Sequence, residues 1–262
     1  MPDGAPLLEL RGVSKRFGAV QALTDVDFAA NAGRVTALVG DNGAGKSTLI
    51  KTIAGINPMD SGEYRFDGKT VQVSSPQAAT ALGIATVYQD LALCDNLDVV
   101  ANLWLGREEL GAVRLLDETD MEQEASTVLK RLAVRIPSVR TQVASLSGGQ
   151  RQGVAIARSM LGEPKVVMLD EPTAALGVAQ TAQVLELIRT LREHGLAVVV
   201  ISHNLADVFE VADTIVVLRL GRQIAVLDAK QTNSEEVVAA ITGLRASDEQ
   251  AADEEAAEVS EQ

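Results

Sequence analysis

Two hydrophobic periods alternate along this chain of 262 residues. Short unbroken apolar runs mark buried strands, and apolar residues at i, i+3, i+4, i+7 mark helices. Val35–Val39, Val166–Asp170 and Leu196–Ile201 are runs of the first kind, suited to a parallel sheet covered on both faces. Ile84–Tyr88 reads as a further strand that ends at Gln89. Lys46–Ala54 reads as a helix stopped by Gly55, and Gln150–Leu161 as a helix opened by a double glycine. Val184, Leu187, Ile188 and Leu191 place an amphipathic helix over 178–194, with Gly195 as its stop. From Val99 to Arg135 polar and apolar residues mix at helical spacing, which predicts a largely helical insertion.

Other segments are strand-like and short. Tyr64–Phe66 and Val71–Val73 flank Asp67-Gly68, a hairpin signal. With Leu7–Leu10 and Gly18–Phe28 they predict a small antiparallel layer. Ile215–Leu220 and Gln223–Leu227 are expected to pair across Gly221-Arg222. Asn233, with Glu236 three residues on, is a capping arrangement for a last short helix. Strands and helices alternating in this way predict an α/β fold built on a parallel sheet.

Composition narrows the function. Hydrophobic residues make up 47% and aromatics only 3%, so aliphatic side chains must fill the core. The net charge is −13, and 246–262 holds seven acidic residues and no basic one. Without those seven charges the net charge rises from −13 to −6, so the remainder is only moderately acidic. This segment is expected to be a solvated, disordered tail. An acidic chain with no basic block is a poor nucleic-acid binder, because such binding relies on Lys and Arg displacing counterions. Cys94 is the single cysteine, which rules out an intramolecular disulfide or a cysteine-built metal site. Met1–Glu9 lacks the features of a signal peptide, and no apolar run approaches the ~20 residues that cross a bilayer. The chain is therefore expected to be soluble and intracellular, with any membrane role exercised through a partner.

Two motifs carry the chemistry. Gly40-Asp41-Asn42-Gly43-Ala44-Gly45-Lys46-Ser47-Thr48 lies between a strand and a helix and fits the P-loop pattern. Its glycines permit backbone conformations and close approaches that a Cβ would block. Its N–H groups and the following helix N-terminus then favour phosphate. Lys46 is expected to reach the β- and γ-phosphates of ATP, Ser47 to offer its hydroxyl to Mg²⁺, and Thr48 to bond a nearer phosphate. Asp170-Glu171 ends a buried strand, where two carboxylates are costly without a cation or a shared proton. Asp170 is placed to hold Mg²⁺, and Glu171 to orient or deprotonate an attacking water. The second motif is Leu146-Ser147-Gly148-Gly149-Gln150, a glycine-rich turn able to offer N–H groups to a phosphate from another surface. A chain carrying both motifs can supply half of two ATP sites, which argues for a dimeric ATP-driven machine.

From Leu7 to Gly243 the chain resembles the ATP-binding subunits of ATP-binding cassette transporters, and residues 146–150 match that family's signature at every position. The resemblance implies a P-loop NTPase core over 1–89 and 163–245, with its antiparallel β subdomain, and a helical subdomain over 90–162. It implies that Ser147, the Gly148 and Gly149 amides and Gln150 belong to the surface meeting ATP on the other protomer. Gln89 matches the position that senses Mg²⁺ and γ-phosphate, His203 the histidine that contacts γ-phosphate, and Phe17 the aromatic that stacks on adenine. Trp104 is expected only to pack within the insertion. Gly177 departs from the family pattern, standing where many cassettes have an interface aspartate; coupling between the two sites is expected to be weaker or routed differently.

The stretches 87–108 and 201–209 are similar to bacterial monosaccharide importers of the ribose, xylose and fructose type. That branch implies transmembrane permease subunits and an extracytoplasmic sugar-binding protein, at the cytoplasmic face of the inner membrane; many of its members fuse two cassettes, and with its single cassette this chain is expected to form a homodimer. The alternatives are an exporter subunit and a cassette ATPase acting on ribosomes or DNA.

Overall fold

The computed structural model describes residues 5–108 and 117–244. The acidic segment 246–262 and part of the 99–135 insertion lie outside the described residues.

The apolar runs become the strands of a six-stranded sheet. These are β3 (Val35–Val39), β6 (Ile84–Val87), β7 (Val166–Asp170), β8 (Ala197–Ile201), β9 (Thr214–Arg219) and β10 (Arg222–Asp228). Their order is β10-β9-β3-β8-β7-β6, parallel throughout except for β10, which turns back against β9. All five residues of β3 and of β8 are buried, the signature of strands covered on both faces. The antiparallel layer is a second sheet of β1 (Leu8–Phe17), β2 (Val20–Ala30), β4 (Ser61–Phe66) and β5 (Lys69–Thr70), ordered β2-β1-β4-β5.

Eight α-helices occur among the described residues: α1 (Lys46–Ile53), α2 (Pro76–Ala81), α3 (Val99–Trp104), α4 (Glu118–Arg131), α5 (Gly148–Met160), α6 (Val178–Glu193), α7 (Leu205–Val211) and α8 (Ser234–Thr242). Three cores result. α1 lies between the parallel sheet and the small one, joining Leu38, Met168 and Ile201 to Leu10, Phe28 and Tyr64. On the opposite sheet face, α3 to α6 share one core with Val87, Val167, Leu169, Val198 and Val200. The helices of the insertion, α3 and α4, pack on α5, and α5 and α6 lie against the sheet at β6 and β8. α7 and α8 cover β9 and the outer part of that face. Trp104 is buried as expected, its indole N–H donating to the Met121 carbonyl at 3.0 Å.

Some local expectations need correction. Val71–Val73 is not the second arm of the 67–68 hairpin; that arm is Lys69–Thr70, because Asp67 and Gly68 both take positive φ and close a two-residue turn. Gly18 belongs to a turn rather than to a strand. The last hairpin turns at Leu220-Gly221, one residue earlier than expected, with Arg219 opposite Arg222. The signature helix starts two residues early, at Gly148. α4 stops at Arg131, and Ala133 has φ of 53°. α2 and α7 were not anticipated. Both have capping signals in the sequence: Ser75 before Pro76 at the start of α2, and Asn204 at the cap of α7.

Candidate active site

β3 delivers the glycine-rich loop at its carboxyl end. Gly40, Gly43 and Gly45 have φ of 150°, 80° and 105°, conformations that side chains rarely adopt. A Cβ on Gly40 would stand 2.2 Å from the Leu218 carbonyl oxygen of β9, and one on Gly45 2.9 Å from that of Ala22 on β2. The β9–β10 turn tightens this seat. The Gly221 N–H donates to the Ala44 carbonyl at 3.0 Å, and the Gly221 carbonyl accepts from the Thr24 N–H at 2.8 Å. At Gly43 a Cβ would meet nothing within 4 Å, so the outer curve of the loop is open.

Gly45 caps α1 without a side chain, leaving the first-turn N–H groups of Lys46, Ser47 and Thr48 to face the loop's concavity. Asp41 and Asn42 are exposed at its rim. The Lys46 Nζ donates to the carbonyls of Gly40 at 2.6 Å and Asp41 at 3.0 Å, which brings a positive charge to the cradle. N–H groups, a helix N-terminus and an ammonium in one concavity are the chemistry of a polyphosphate site.

β7 delivers the carboxylates. Asp170 is half-buried beside Ile201 of β8. Its carboxyl is held above the usual range by burial first and by the Glu171 charge second, with Lys46 and Lys51 pulling the other way. Two facts follow: Asp170 lies within electrostatic reach of the loop lysine, and its charge would be relieved by a cation. Mg²⁺ fits this setting, since it binds through one or two protein oxygens together with phosphates.

Glu171 takes φ of 48°, a left-handed conformation unusual for a side-chain-bearing residue. Its N–H donates to the Ile201 carbonyl at 2.9 Å. Its Oε2 lies 2.8 Å from Nδ1 of His203, which follows β8. The carboxylate is largely enclosed, with 17% of the side chain exposed against 72% for the imidazole. Gln89 stands exposed two residues past β6, and the pairing of Val87 with Leu169 puts it at the same sheet edge as Asp170 and Glu171. Between them, the Tyr88 hydroxyl is pushed upward chiefly by burial and also by the Asp170 charge. Phe17 ends β1 with a half-exposed ring, the Lys15 Nζ lying 5.5 Å from its centroid.

Ser147–Gln150 form a separate unit at the start of α5. The Ser147 Oγ accepts from the Gln150 N–H, and the Gln150 Oε1 accepts from the Ser147 N–H at 2.9 Å, a closed capping box. Gln150 also donates to the Arg135 carbonyl at 3.0 Å. A Cβ on Gly148 would come 2.7 Å from the Leu176 side chain, and one on Gly149 3.1–3.4 Å from Gln183 and Gln180 of α6, so side chains here would have to shift to admit a larger residue. Among the described residues, no hydrogen bond joins this unit to the phosphate cradle. The fold therefore brings together residues 40–48, Asp170, Glu171 and His203, whereas Ser147–Gln150 belong to another element, the start of α5.

Residues 23–174 match the ABC transporter family. The chain belongs to that family. It is 47% identical over 236 residues to the xylose/arabinose import ATP-binding protein of Sulfolobus acidocaldarius, covering 90% of this chain and 94% of that protein. It is 47% identical over 247 residues to the fructose import ATP-binding protein of Rhizobium meliloti, covering 92% and 95%. A ribose import ATP-binding protein of Rhizobium etli is 40% identical over 238 residues; the match takes in 91% of this ABC protein but 46% of the relative. Among solved structures, an ATP-binding cassette of an ABC transporter superposes with a TM-score of 0.80 at 27% identity, covering 90% of this chain and 99% of the other. The ADP conformation of such a cassette gives 0.76 at 25% identity, over 91% and 96%.

Sequence reasoning missed two supports of the site. One is Gly221, whose role depends on a contact across the fold. The other is Arg158 of α5, which donates to the carbonyls of Leu91 at 2.7 Å and Ala92 at 2.8 Å. It pins the segment that follows Gln89, and nothing in its local sequence signals that role.

Proposed function

We propose that this ABC protein is the ATP-hydrolysing subunit of a monosaccharide importer. Residues 40–48 hold the phosphates of ATP, with Lys46 on the β- and γ-phosphates. Phe17 carries the adenine on its exposed face. Ser47, Asp170 and Gln89 face Mg²⁺, which supplies neutralisation of phosphate charge when bound. Glu171 positions the attacking water and draws its proton, and His203, bonded to Glu171, sits at the γ-phosphate.

Ser147, Gly148, Gly149 and Gln150 complete the site of a second protomer, so two copies enclose two ATP molecules. Loss of γ-phosphate removes the bridge between them. The division into a core over 1–89 and 163–245 and a helical subdomain over 90–162 follows the same reading. Permease subunits meet the cleft of about 400 Å³ beside Gln89, lined by Tyr88, Asp90, Arg107 and Arg158. This places the subunit at the cytoplasmic face of the inner membrane, below a permease served by a sugar-binding protein. No helix among the described residues is long and apolar enough to cross a membrane.

The observation that supports the reading is that the glycine-rich loop with Lys46 lies near Asp170, Glu171 and His203, while the Ser147–Gln150 capping box stands on another element, at the start of α5. The sugar assignment is supported by the import relatives above. The test is a pull-down of Glu171→Gln with ATP from native membranes, with partners identified by mass spectrometry. A multi-span permease and a sugar-binding protein are expected. Recovery of ribosomal or DNA-associated partners alone would overturn the transport reading and leave the ATPase chemistry standing.

A further inference from the structure

Glu171 stands at the start of a loop that is unusual on its own terms. Glu171 and Ala175 both take left-handed conformations, with φ of 48° and 59°, on either side of Pro172-Thr173-Ala174. Backbone bonds close the loop on itself: the Ala174 N–H donates to the Glu171 carbonyl at 3.1 Å, and the Leu176 N–H to the Thr173 carbonyl at 3.3 Å. A side-chain-bearing residue stays in such a conformation only where its surroundings over-determine it.

Two side-chain rungs tie this loop to the segment that runs from β8 into α7. The first is Glu171 to His203. The second is the Thr173 hydroxyl, which donates to the Asp207 Oδ2 at 2.6 Å in a half-buried setting. His203 stands two residues before α7 and Asp207 in its first turn, so the two rungs, two residues apart on the loop, meet this segment four residues apart. That segment is itself braced. The Ser202 Oγ accepts from the Asn204 N–H at 3.0 Å, and the Asn204 Oδ1 accepts from the Ala206 N–H at 3.1 Å, so α7 starts at a set place and angle.

We infer that Asp207 and Thr173 are a positioning pair for hydrolysis: their hydrogen bond holds the loop in the conformation that aims the Glu171 carboxylate at the reacting water and at His203. The inference rests on the role proposed for Glu171. Neither residue of the pair needs to touch nucleotide. Their effect belongs to the chemical step, while the cradle over 40–48 that binds ATP is built on other elements.

The substitutions separate this from a general structural role. Thr173→Val removes the hydroxyl at nearly constant volume, and Asp207→Ala removes the acceptor. Each is expected to lower kcat about tenfold with the KM for ATP changed by less than about twofold, a loss confined to the transition state. Thr173→Ser keeps a donor and Asp207→Asn keeps an acceptor oxygen, so both are expected to stay within about twofold of the parent. The double variant is expected to be no slower than either single one, as for two partners of one bond. In a Glu171→Gln background, Asp207→Ala is expected to have no further effect on residual turnover.

Unchanged kcat in Thr173→Val and Asp207→Ala, with Glu171→Gln impaired, overturns the pairing and leaves the role of Glu171 intact. Multiplying losses in the double variant, equal losses in the conservative variants, or a further loss in the Glu171→Gln background also overturn it. Near-normal turnover by Glu171→Gln alone overturns the role of Glu171 and the inference with it.

Discussion

At the residue scale, Asp170 is where function opposes stability. Its carboxyl pKa is raised in the folded protein, so the folded state holds that proton more tightly than the unfolded chain does. The ionised form therefore costs stability above the raised pKa, and the cost disappears as pH falls below the ordinary carboxylate value of about 4. Asp170→Asn is expected to melt a degree or two higher than the parent at neutral pH, the scale on which modest changes shift a domain of this size. The gain should shrink to nothing near pH ~4, and ATP turnover should be lost throughout. Differential scanning fluorimetry across pH reads the first effect; an equal or lower melting temperature at neutral pH would mean that burial and Glu171 do not strain this carboxylate. The main charged groups of the site were legible residue by residue because each sits at a strand end or in a motif whose spacing carries the chemistry. Asp207 was not, because its relevance arises from a hydroxyl 34 positions away.

At the scale of elements, the cradle is a loop pressed between strands that come from distant parts of the chain. Gly40 is held by β9 and Gly45 by β2, so the two glycines fail differently from Gly43. Gly40→Ala places a Cβ against a backbone oxygen that cannot move without displacing β9, and is expected to cost about 2–3 kcal/mol. Gly43→Ala meets open space and has only its positive φ to lose, about 1–2 kcal/mol. Urea unfolding of the two variants measures the difference, and equal losses would show that the β9 contact does not set the seat. The strand–loop–helix order around this motif was readable from hydrophobic periodicity alone. The ends of elements were less so. The 220–221 turn is governed by positive φ at Leu220, a residue type that does not announce it, and at 67–68 the Asp-Gly pair marked the turn but not the short strand that follows it. α7 was missed because it is short and its apolar residues are split between two cores: Val208 packs with β9 and α8, and Val211 joins the core of α3 to α6.

At the scale of the whole molecule, the glycine-rich loop and the start of α5 stand on different elements of one fold. α3 to α6 share a core with β7 and β8, so the start of α5 is carried on the same body as Asp170, Glu171 and His203. No hydrogen bond connects the cradle to Ser147–Gln150 among the described residues, and completion of either site is assigned to a second copy. Glu171→Gln is expected to sediment as a dimer with ATP and as a monomer with ADP, and Ser147→Arg in that background to remain monomeric with ATP. Analytical ultracentrifugation reads both, and a Glu171→Gln protein that stays monomeric in saturating ATP would remove the shared-site reading. Gly177 at the cap of α6 has free space around it, so Gly177→Asp tests on the same assay whether a carboxylate there strengthens the pairing.

By itself the sequence determined the fold class, the glycine-rich loop between strand and helix, the carboxylates that end β7 and the turn that opens α5, because each depends on local spacing: the period of buried strands, glycines at fixed intervals, a capping residue three positions before its partner. The tertiary structure alone decided which strands wedge the cradle, that β5 lies at 69–70, that Arg158 pins the segment after Gln89, and that Thr173 meets Asp207. Those contacts join residues far apart in the chain. Their geometry is set by how sheets and helices pack, and a polar side chain carries no local mark of the partner that packing will bring to it.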